Sequence, residues 1–226
     1  MGMEGYKLES HPVCNKEAVI QGEKYRITVL TSSLIRLEYS GQGKFEDRAT
    51  QSVLNRDFPV PQFKVIETEE ELSVYTENIE LHYNRKAFAA NGLQIKVNNM
   101  GGGWENTWHF GEEPGDLGGT ARTLEMTDGP RTLNPMLYRK GETPLEDKIS
   151  GKIPMEHGVI SKCGFSVIDD SHSMVLTEDG WIAPREQDIT DMYFFGYGHR
   201  YQECLKDFYL VCGKTPLLPR YALGNW

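Results

Sequence analysis

The chain has 226 residues, of which 38% are hydrophobic and 11% aromatic, and this is enough apolar material for one large globular unit. Its formal net charge of -9, from 33 acidic and 24 basic residues, repels phosphate backbones, so nucleic acid is not expected as a partner. The first ten residues lack the apolar stretch of a signal peptide, and no segment reaches the roughly 20 apolar residues of a membrane span. A cytoplasmic protein without a membrane partner is therefore expected.

Short segments with alternating polarity, separated by turn residues, fill the first hundred residues. In residues 24–30, Tyr25, Ile27 and Val29 alternate with polar residues, which is the period of a half-buried strand. The same period recurs at 34–40, 71–76 and 78–84. The short connection at Glu77 and Asn78 predicts a hairpin, and the spacing of the segments favours antiparallel strands over βαβ units.

The second half of the chain begins with a glycine-rich stretch at 91–144, which is predicted to be mostly loop with a few short strands. Strand character returns in GFSVIDD, SMVLTED and DITDMYFFGYG, and the last is apolar enough for the middle of a sheet. Apolar residues then recur every three or four positions, which predicts a helix at about 199–212 that ends at Gly213. These elements predict a mainly all-β fold, a large antiparallel β-sandwich with one C-terminal helix.

Two groups of charged residues are candidates for chemistry. Asp169 and Asp170 form a carboxylate pair of the kind used in acid and base catalysis, but adjacent strand residues point to opposite faces. A strand end followed by an Asx-type turn at Asp170 is the preferred interpretation. The glycine-rich loop brings Asp116, Arg122 and Asp128 within thirteen positions, where they either line a ligand site or cover a sheet edge.

Histidine, cysteine and tryptophan give weaker signals. The six histidines show no metal-ligand spacing and the four cysteines form no C-x-x-C pair, so no metal, cofactor or disulfide framework is expected. Trp104, Trp108 and Trp181 are expected in the core more often than on the surface, where an indole ring could stack on the C–H face of a sugar.

The segment TPLLPRYALGNW resembles the one that leads into the catalytic barrel of family 31 glycoside hydrolases. The residues that match it are Gly213, Pro216, Pro219, Ala222 and Gly224. Three upstream segments resemble other parts of this family in the same order: FEDRATQSVLNR at 45–56, LGGTARTLEMTDG at 117–129 and HGVISKCGFSVIDDS at 157–171. The resemblance extends from about residue 30 to the end of the chain.

The resemblance implies an N-terminal β-sandwich domain of the galactose-mutarotase-like type at 1–212, with 213–226 as a linker and the start of a (β/α)₈ barrel. In such enzymes the domain packs on the barrel and sends a loop to the active-site rim, which would here carry Asp116, Arg122 and Asp128. The barrel would supply the two carboxylates that hydrolyse α-glycosidic bonds with retention. The chain alone is therefore expected to be inactive, and either to self-associate through the exposed barrel interface or to fold its tail back on the sandwich.

Two other functions fit the sequence. One is a free-standing carbohydrate-binding sandwich that uses exposed tryptophans and the 111–130 loop. The other is an aldose epimerase, which shares the sandwich type but needs a His/Glu pair on the concave sheet that no motif marks. The sequence does not indicate which sugar or linkage is involved, because barrel loops form most of that pocket.

Overall fold

The computed structural model describes residues 8–98, 100, 106–113 and 158–214. Twelve strands, one α-helix and a 3₁₀ turn at Lys16–Ala18 lie in these ranges. The strands are β1 (Val19–Gln21), β2 (Tyr25–Val29), β3 (Leu34–Tyr39), β4 (Lys64–Glu67), β5 (Leu72–Tyr75), β6 (Ile79–Tyr83), β7 (Leu93–Val97), β8 (Asn106–His109), β9 (Ser166–Asp169), β10 (Val175–Leu176), β11 (Ile182–Ala183) and β12 (Thr190–Phe195), and the helix is α1 (Tyr201–Cys212). No helix of the described part has the length and apolar character needed to cross a bilayer.

The strands form two five-stranded antiparallel sheets and a small hairpin. Sheet A has the order β1-β2-β3-β12-β9, sheet B runs in chain order from β4 to β8, and β10 pairs with β11. Strand β12 lies between β3 and β9, as its apolar sequence predicted. The predicted hairpin is also present, because the Thr76 amide donates to the Ile79 carbonyl at 2.9 Å and closes the turn around Glu77 and Asn78.

The main core lies between the two sheets. Tyr25, Ile27 and Val29 of sheet A face this core, as their alternation predicted, and the apolar residues of sheet B meet them there. Aromatic contacts cross the gap, with ring centroids 5.4 Å apart for Trp108 and Phe194. Burial of apolar surface from both sheets drives their packing, and the predicted all-β antiparallel sandwich is confirmed.

Helix α1 covers part of the outer face of sheet A, where Cys204 and Val211 join a second apolar cluster with Phe195. It begins two residues later than predicted, because Arg200 has a ψ of 61° and is the non-helical N-cap residue. Gly213 ends the helix with a φ of +90°, as predicted.

One part of the helix prediction is wrong. Leu205 belongs to the apolar repeat that predicts the helix, and the repeat implies that it is buried, but it is 38% exposed, and Tyr209 and Leu210 are 48% and 45% exposed. Cys204 and Val211 are the buried residues of the helix. Leu205 lies at the edge of the face that these two residues define. The helix therefore presents three large apolar side chains to solvent, among the exposed polar residues Gln202, Glu203 and Lys206.

Candidate functional site

The outer face of sheet A carries a layer of buried ion pairs. Arg26 on β2 lies directly opposite Glu38 on β3, and its guanidinium donates to both carboxylate oxygens at 2.6 and 2.8 Å. Arg36 on β3 donates to both oxygens of Asp191 on β12 at 2.8 Å. Its Nη2 also lies 3.1 Å from Glu38, so the two pairs form one network.

This layer corrects the expectation that strands β2 and β3 are half-buried. Every residue of β2 is buried, and so are Arg36 and Glu38 of β3, with 1% and 0% of their side chains exposed. The alternation correctly separated apolar from polar residues. It did not indicate that the polar face is covered too, since only a distant segment can cover it.

The cover comes from residues 45–56, one of the segments that carry the family resemblance. The carbonyl of Glu46 accepts from Nη2 of both Arg26 and Arg36, at 3.1 and 2.8 Å. Arg56, which is fully buried, donates from Nε to the hydroxyl of Tyr193 at 2.6 Å. The segment therefore closes over the charged residues and satisfies their hydrogen bonds.

A second pair of carboxylates extends the layer. Asp170 accepts from the hydroxyl of Thr50 at 2.9 and 3.0 Å and from Nη2 of Arg185 at 3.0 Å. The same Nη2 lies 3.0 Å from Asp191, so Arg185 bridges the two aspartates. Arg185 is not among the residues predicted from the sequence, because no local pattern distinguishes it from a surface residue.

The two aspartates have opposite pKa shifts. Burial raises the pKa of Asp170, and the charge of Asp191 raises it further. Burial would also raise the pKa of Asp191, but the charge and hydrogen bonds of Arg36 outweigh it and lower that pKa to about 2. Such separation is a mark of acid and base pairs. Here both side chains are 0% exposed and hold arginines, so their arrangement suits cross-linking of the fold and not contact with a substrate.

Beside this layer lies a cleft with a volume of about 590 Å³. Two stretches form its walls, one at 44–48 and the other at 185–189. Its lining residues are Lys44, Phe45, Glu46, Arg48, Arg185, Glu186, Gln187 and Ile189. The volume is within the range of about 300–1,000 Å³ that small-molecule sites occupy.

Two polar atoms of the cleft residues have no hydrogen-bond partner. They are Nη1 of Arg185 and Oε1 of Gln187, one a donor and the other an acceptor. The Arg185 side chain is only 6% exposed, so water does not fully compensate the loss. Thr28 Oγ1 and Arg56 Nη2 are also unpaired, but neither residue lines the cleft.

The rim-loop residues predicted from the sequence, Asp116, Arg122 and Asp128, lie outside the described residues, and so do Trp104 and residues 215–226. Their roles and the domain boundary at 212–213 stay predictions.

The turn predicted after β9 is present, with one difference. The Asx bond is made by Asp169, whose Oδ1 accepts from the Ser171 amide at 3.0 Å, and not by Asp170. Asp170 is directed into the ionic layer instead. Adjacent residues at the strand end do point to different environments, as predicted.

The prediction of core packing is confirmed for Trp108 and wrong for Trp181. Trp108 is 1% exposed and lies in the core, whereas Trp181 is 61% exposed. All four cysteines are free thiols, and Cys204 is the buried one.

His82 on sheet B lies between two carboxylates, with Nδ1 2.8 Å from Glu71 and Nε2 3.2 Å from Glu80. It is thus a partly buried histidine whose two ring nitrogens both have partners. Within the described ranges, no group of three or more His, Cys, Asp or Glu residues is placed to hold a metal ion.

Comparisons with known proteins give matches in shape alone. No family profile and no curated protein match the sequence. A dextranase of glycoside hydrolase family 31 from Flavobacterium johnsoniae matches in complexes with isomaltotriose and with glucose, at 14% and 12% identity and TM-scores of 0.45 and 0.43. A family 31 α-xylosidase from a soil metagenome, complexed with xylose, matches at 13% identity and a TM-score of 0.44. Each match covers 91% of this chain, and the chain spans 28–35% of the length of these enzymes.

Proposed function

We propose that the chain is a non-catalytic β-sandwich domain of a retaining α-glycosidase of family 31. In this proposal it packs against a (β/α)₈ catalytic barrel. Its loop with Asp116, Arg122 and Asp128 contributes to the active-site rim, where it contacts the leaving-group sugar.

The observation that carries the proposal is the contact between two segments that resemble the family. Residues 45–56 and 157–171 are far apart in sequence, yet Thr50 of the first donates to Asp170 of the second. Glu46 and Arg56 of the first segment also bind the charged face of sheet A. The two segments that resemble the family therefore contact each other in the folded chain, which supports the proposal that both belong to one domain.

The position of the exposed apolar residues supports an interdomain role. Leu205, Tyr209 and Leu210 are exposed on α1, which ends immediately before the proposed linker at 213–226. Interfaces between domains of one chain bury roughly 600–1,500 Å² and use apolar patches of this kind. We assign the helix face to the contact with the barrel.

The buried carboxylates support a non-catalytic role. A retaining glycosidase needs two carboxyl groups about 5–5.5 Å apart on either side of the scissile bond. Asp170 and Asp191 are both fully buried against arginines, so neither can approach a glycosidic oxygen. The catalytic pair would come from the barrel.

A second candidate function is a free-standing carbohydrate-binding module. The observation that favours it is the 61% exposure of Trp181 at the β10–β11 hairpin, because an exposed indole can stack on a pyranose ring. The two functions differ in their need for a barrel.

The experiment that tests the proposal begins with the reading frame beyond codon 226. We expect it to continue into alternating strand and helix patterns. Residues 1–226 and the downstream product are then made as two separately tagged chains. The proposal predicts that they co-elute and that hydrolysis of a nitrophenyl α-glycoside rises when they are mixed. A reading frame that stops, or two chains that do not associate, would favour the module.

A further inference from the structure

We propose that Asp170 is a proton-dependent clamp, which holds residues 45–56 on sheet A more tightly when its carboxyl group is neutral than when it is ionised. This inference goes beyond the proposed domain role and does not depend on it. It rests on how Asp170 and Asp191 share the positive charge of the ionic layer.

Asp170 lies where three parts of the chain meet. It follows strand β9, and its carboxylate accepts from the hydroxyl of Thr50 at 2.9 and 3.0 Å and from Nη2 of Arg185 at 3.0 Å. The Thr50 hydroxyl also accepts from the amide of Val53 at 2.9 Å, so Asp170 helps to fix the turn at 50–53. Because Asp170 is 0% exposed, water does not screen a change in its charge.

The two aspartates share the positive charge unequally. Asp191 accepts from Nε and Nη2 of Arg36, both at 2.8 Å, and it also lies 3.0 Å from Nη2 of Arg185. Among the described residues, Arg185 is the one cation within ion-pair distance of Asp170, and Asp191 competes for the same nitrogen. The ionised form of Asp170 is therefore the less compensated of the two buried charges.

The groups that face Asp170 favour its neutral form. Burial raises the pKa of Asp170 above the ordinary 3.8, and the charge of Asp191 raises it further. Hydrogen bonds from two hydroxyls and the charge of Arg185 lower this pKa, but they do not outweigh the first two effects. At the end of α1, burial and then the charge of Asp170 raise the pKa of the Cys212 thiol to about 12, so the thiol is neutral at neutral pH.

The raised pKa sets the direction of the pH dependence. The closed chain binds a proton on Asp170 more tightly than a state in which residues 45–56 have opened and the carboxylate is in water. Closure is therefore weakest above the folded-state pKa, and it strengthens as pH falls through that value toward 3.8. A neutral carboxyl group can still accept from Thr50 and Arg185 through its carbonyl oxygen, so the contacts persist.

The test is amide hydrogen exchange of the 226-residue chain, followed by NMR and corrected for intrinsic exchange rates. The reporters are the amide of Val53, which donates to Thr50, and the amide of Leu176, which donates to the Ala49 carbonyl at 2.8 Å. Their protection should rise about threefold or more between about pH 7.5 and pH 4.5. The amide of Asn98, which donates within sheet B, should change less.

Two variants separate Asp170 from other titrating groups. Asp170→Asn is neutral at every pH, so Val53 should show at about pH 7.5 the protection that the wild type reaches near pH 4.5, with no further pH dependence. Asp169→Asn makes the same change at the exposed neighbouring residue and should keep the wild-type pH dependence.

The carboxyl ¹³C resonance of Asp170 should titrate above 3.8 in the wild type, and this measurement decides the question even if Asp170→Asn does not fold. Three results would overturn the proposal. They are wild-type protection that stays constant or falls toward acid pH, a pH dependence that survives in Asp170→Asn, and a carboxyl titration at or below 3.8.

Discussion

Arg36 and Asp191 form a two-bond ion pair across neighbouring strands of sheet A, with Nε and Nη2 each 2.8 Å from a carboxylate oxygen. Their side chains are 1% and 0% exposed. Arg185 and Glu38 hold the other sides of this pair, so its charges are compensated without water. The pair thus connects β3, β12 and the stretch at 185–191, which also forms one wall of the cleft.

Neutralising one member of this pair should be costly. Asp191→Asn leaves Arg36 buried with less compensation, and loss of one partner of a buried pair costs about 3–5 kcal/mol. Urea unfolding followed by circular dichroism should show this loss or the absence of a cooperative transition. Glu203→Gln is the control, because Glu203 is 64% exposed in its pair with Arg200 and should cost under about 1 kcal/mol. Equal effects would contradict a structural role for the ionic layer.

The stability contributed by His82 should depend on pH. Burial lowers its pKa, but hydrogen bonds to Glu71 and Glu80 outweigh burial and raise it above the ordinary 6.5. A raised folded-state pKa stabilises the protein below the unfolded value, and this contribution is lost as pH rises through the folded value. The hydrogen bond to His82 lowers the pKa of Glu71, so its contribution is present above about 4.5. The stability contributed by the ion pair between His82 and Glu71 is therefore largest near pH 6.

The measurement is urea unfolding of His82→Gln at pH 6 and pH 9. We expect a loss of about 0.5–1 kcal/mol at pH 6 and a smaller loss at pH 9. His172→Gln changes an exposed histidine and should show no such difference. A loss from His82→Gln that is the same at both pH values would rule out the ion pairs as its cause.

The exposed apolar residues of α1 should cause the isolated chain to self-associate. Leu205→Lys with Tyr209→Lys places charges on this face of the helix and should weaken association at least tenfold in sedimentation velocity. Glu70→Lys makes the same change in net charge in the exposed turn between β4 and β5 of sheet B and should change little. A strictly monomeric wild-type chain, or unchanged association in the double variant, would contradict the assignment of this face.

The period of the strands was sufficient to predict the core. Tyr25, Ile27 and Val29 lie where alternation placed them, because one buried face fixes the side on which apolar residues point. The ionic layer was not predicted, since its cover comes from residues 45–56 and its bridging cation is Arg185. Such long-range contacts leave no local period in the sequence.

The cleft was missed for the same reason, because its two walls are about 140 residues apart in the chain. The sites predicted from the sequence each lie within a single segment, such as the loop with Asp116, Arg122 and Asp128. Neither Arg185 nor Gln187 has a pattern around it that distinguishes it from a surface residue.

The predicted rim loop can be tested in the full-length glycosidase that we propose. Arg122→Ala or Asp128→Ala should each lower kcat/KM for a disaccharide about tenfold to a hundredfold, since charged hydrogen bonds contribute about 1.5–3 kcal/mol. The loss should be much smaller for an aryl glycoside, whose leaving group makes few polar contacts. Equal losses on both substrates would indicate a role in folding and would remove these residues from the site.

The central claim, that this chain is a non-catalytic part of a retaining α-glycosidase, is tested most directly by hydrolysis of nitrophenyl α-glycosides. The 226-residue chain and the product of the longer reading frame are assayed side by side at equal concentration. We expect turnover by the longer product and none by the chain alone, because the two carboxylates required for retention would lie on the barrel. Turnover by the 226-residue chain that persists through repurification would contradict the account.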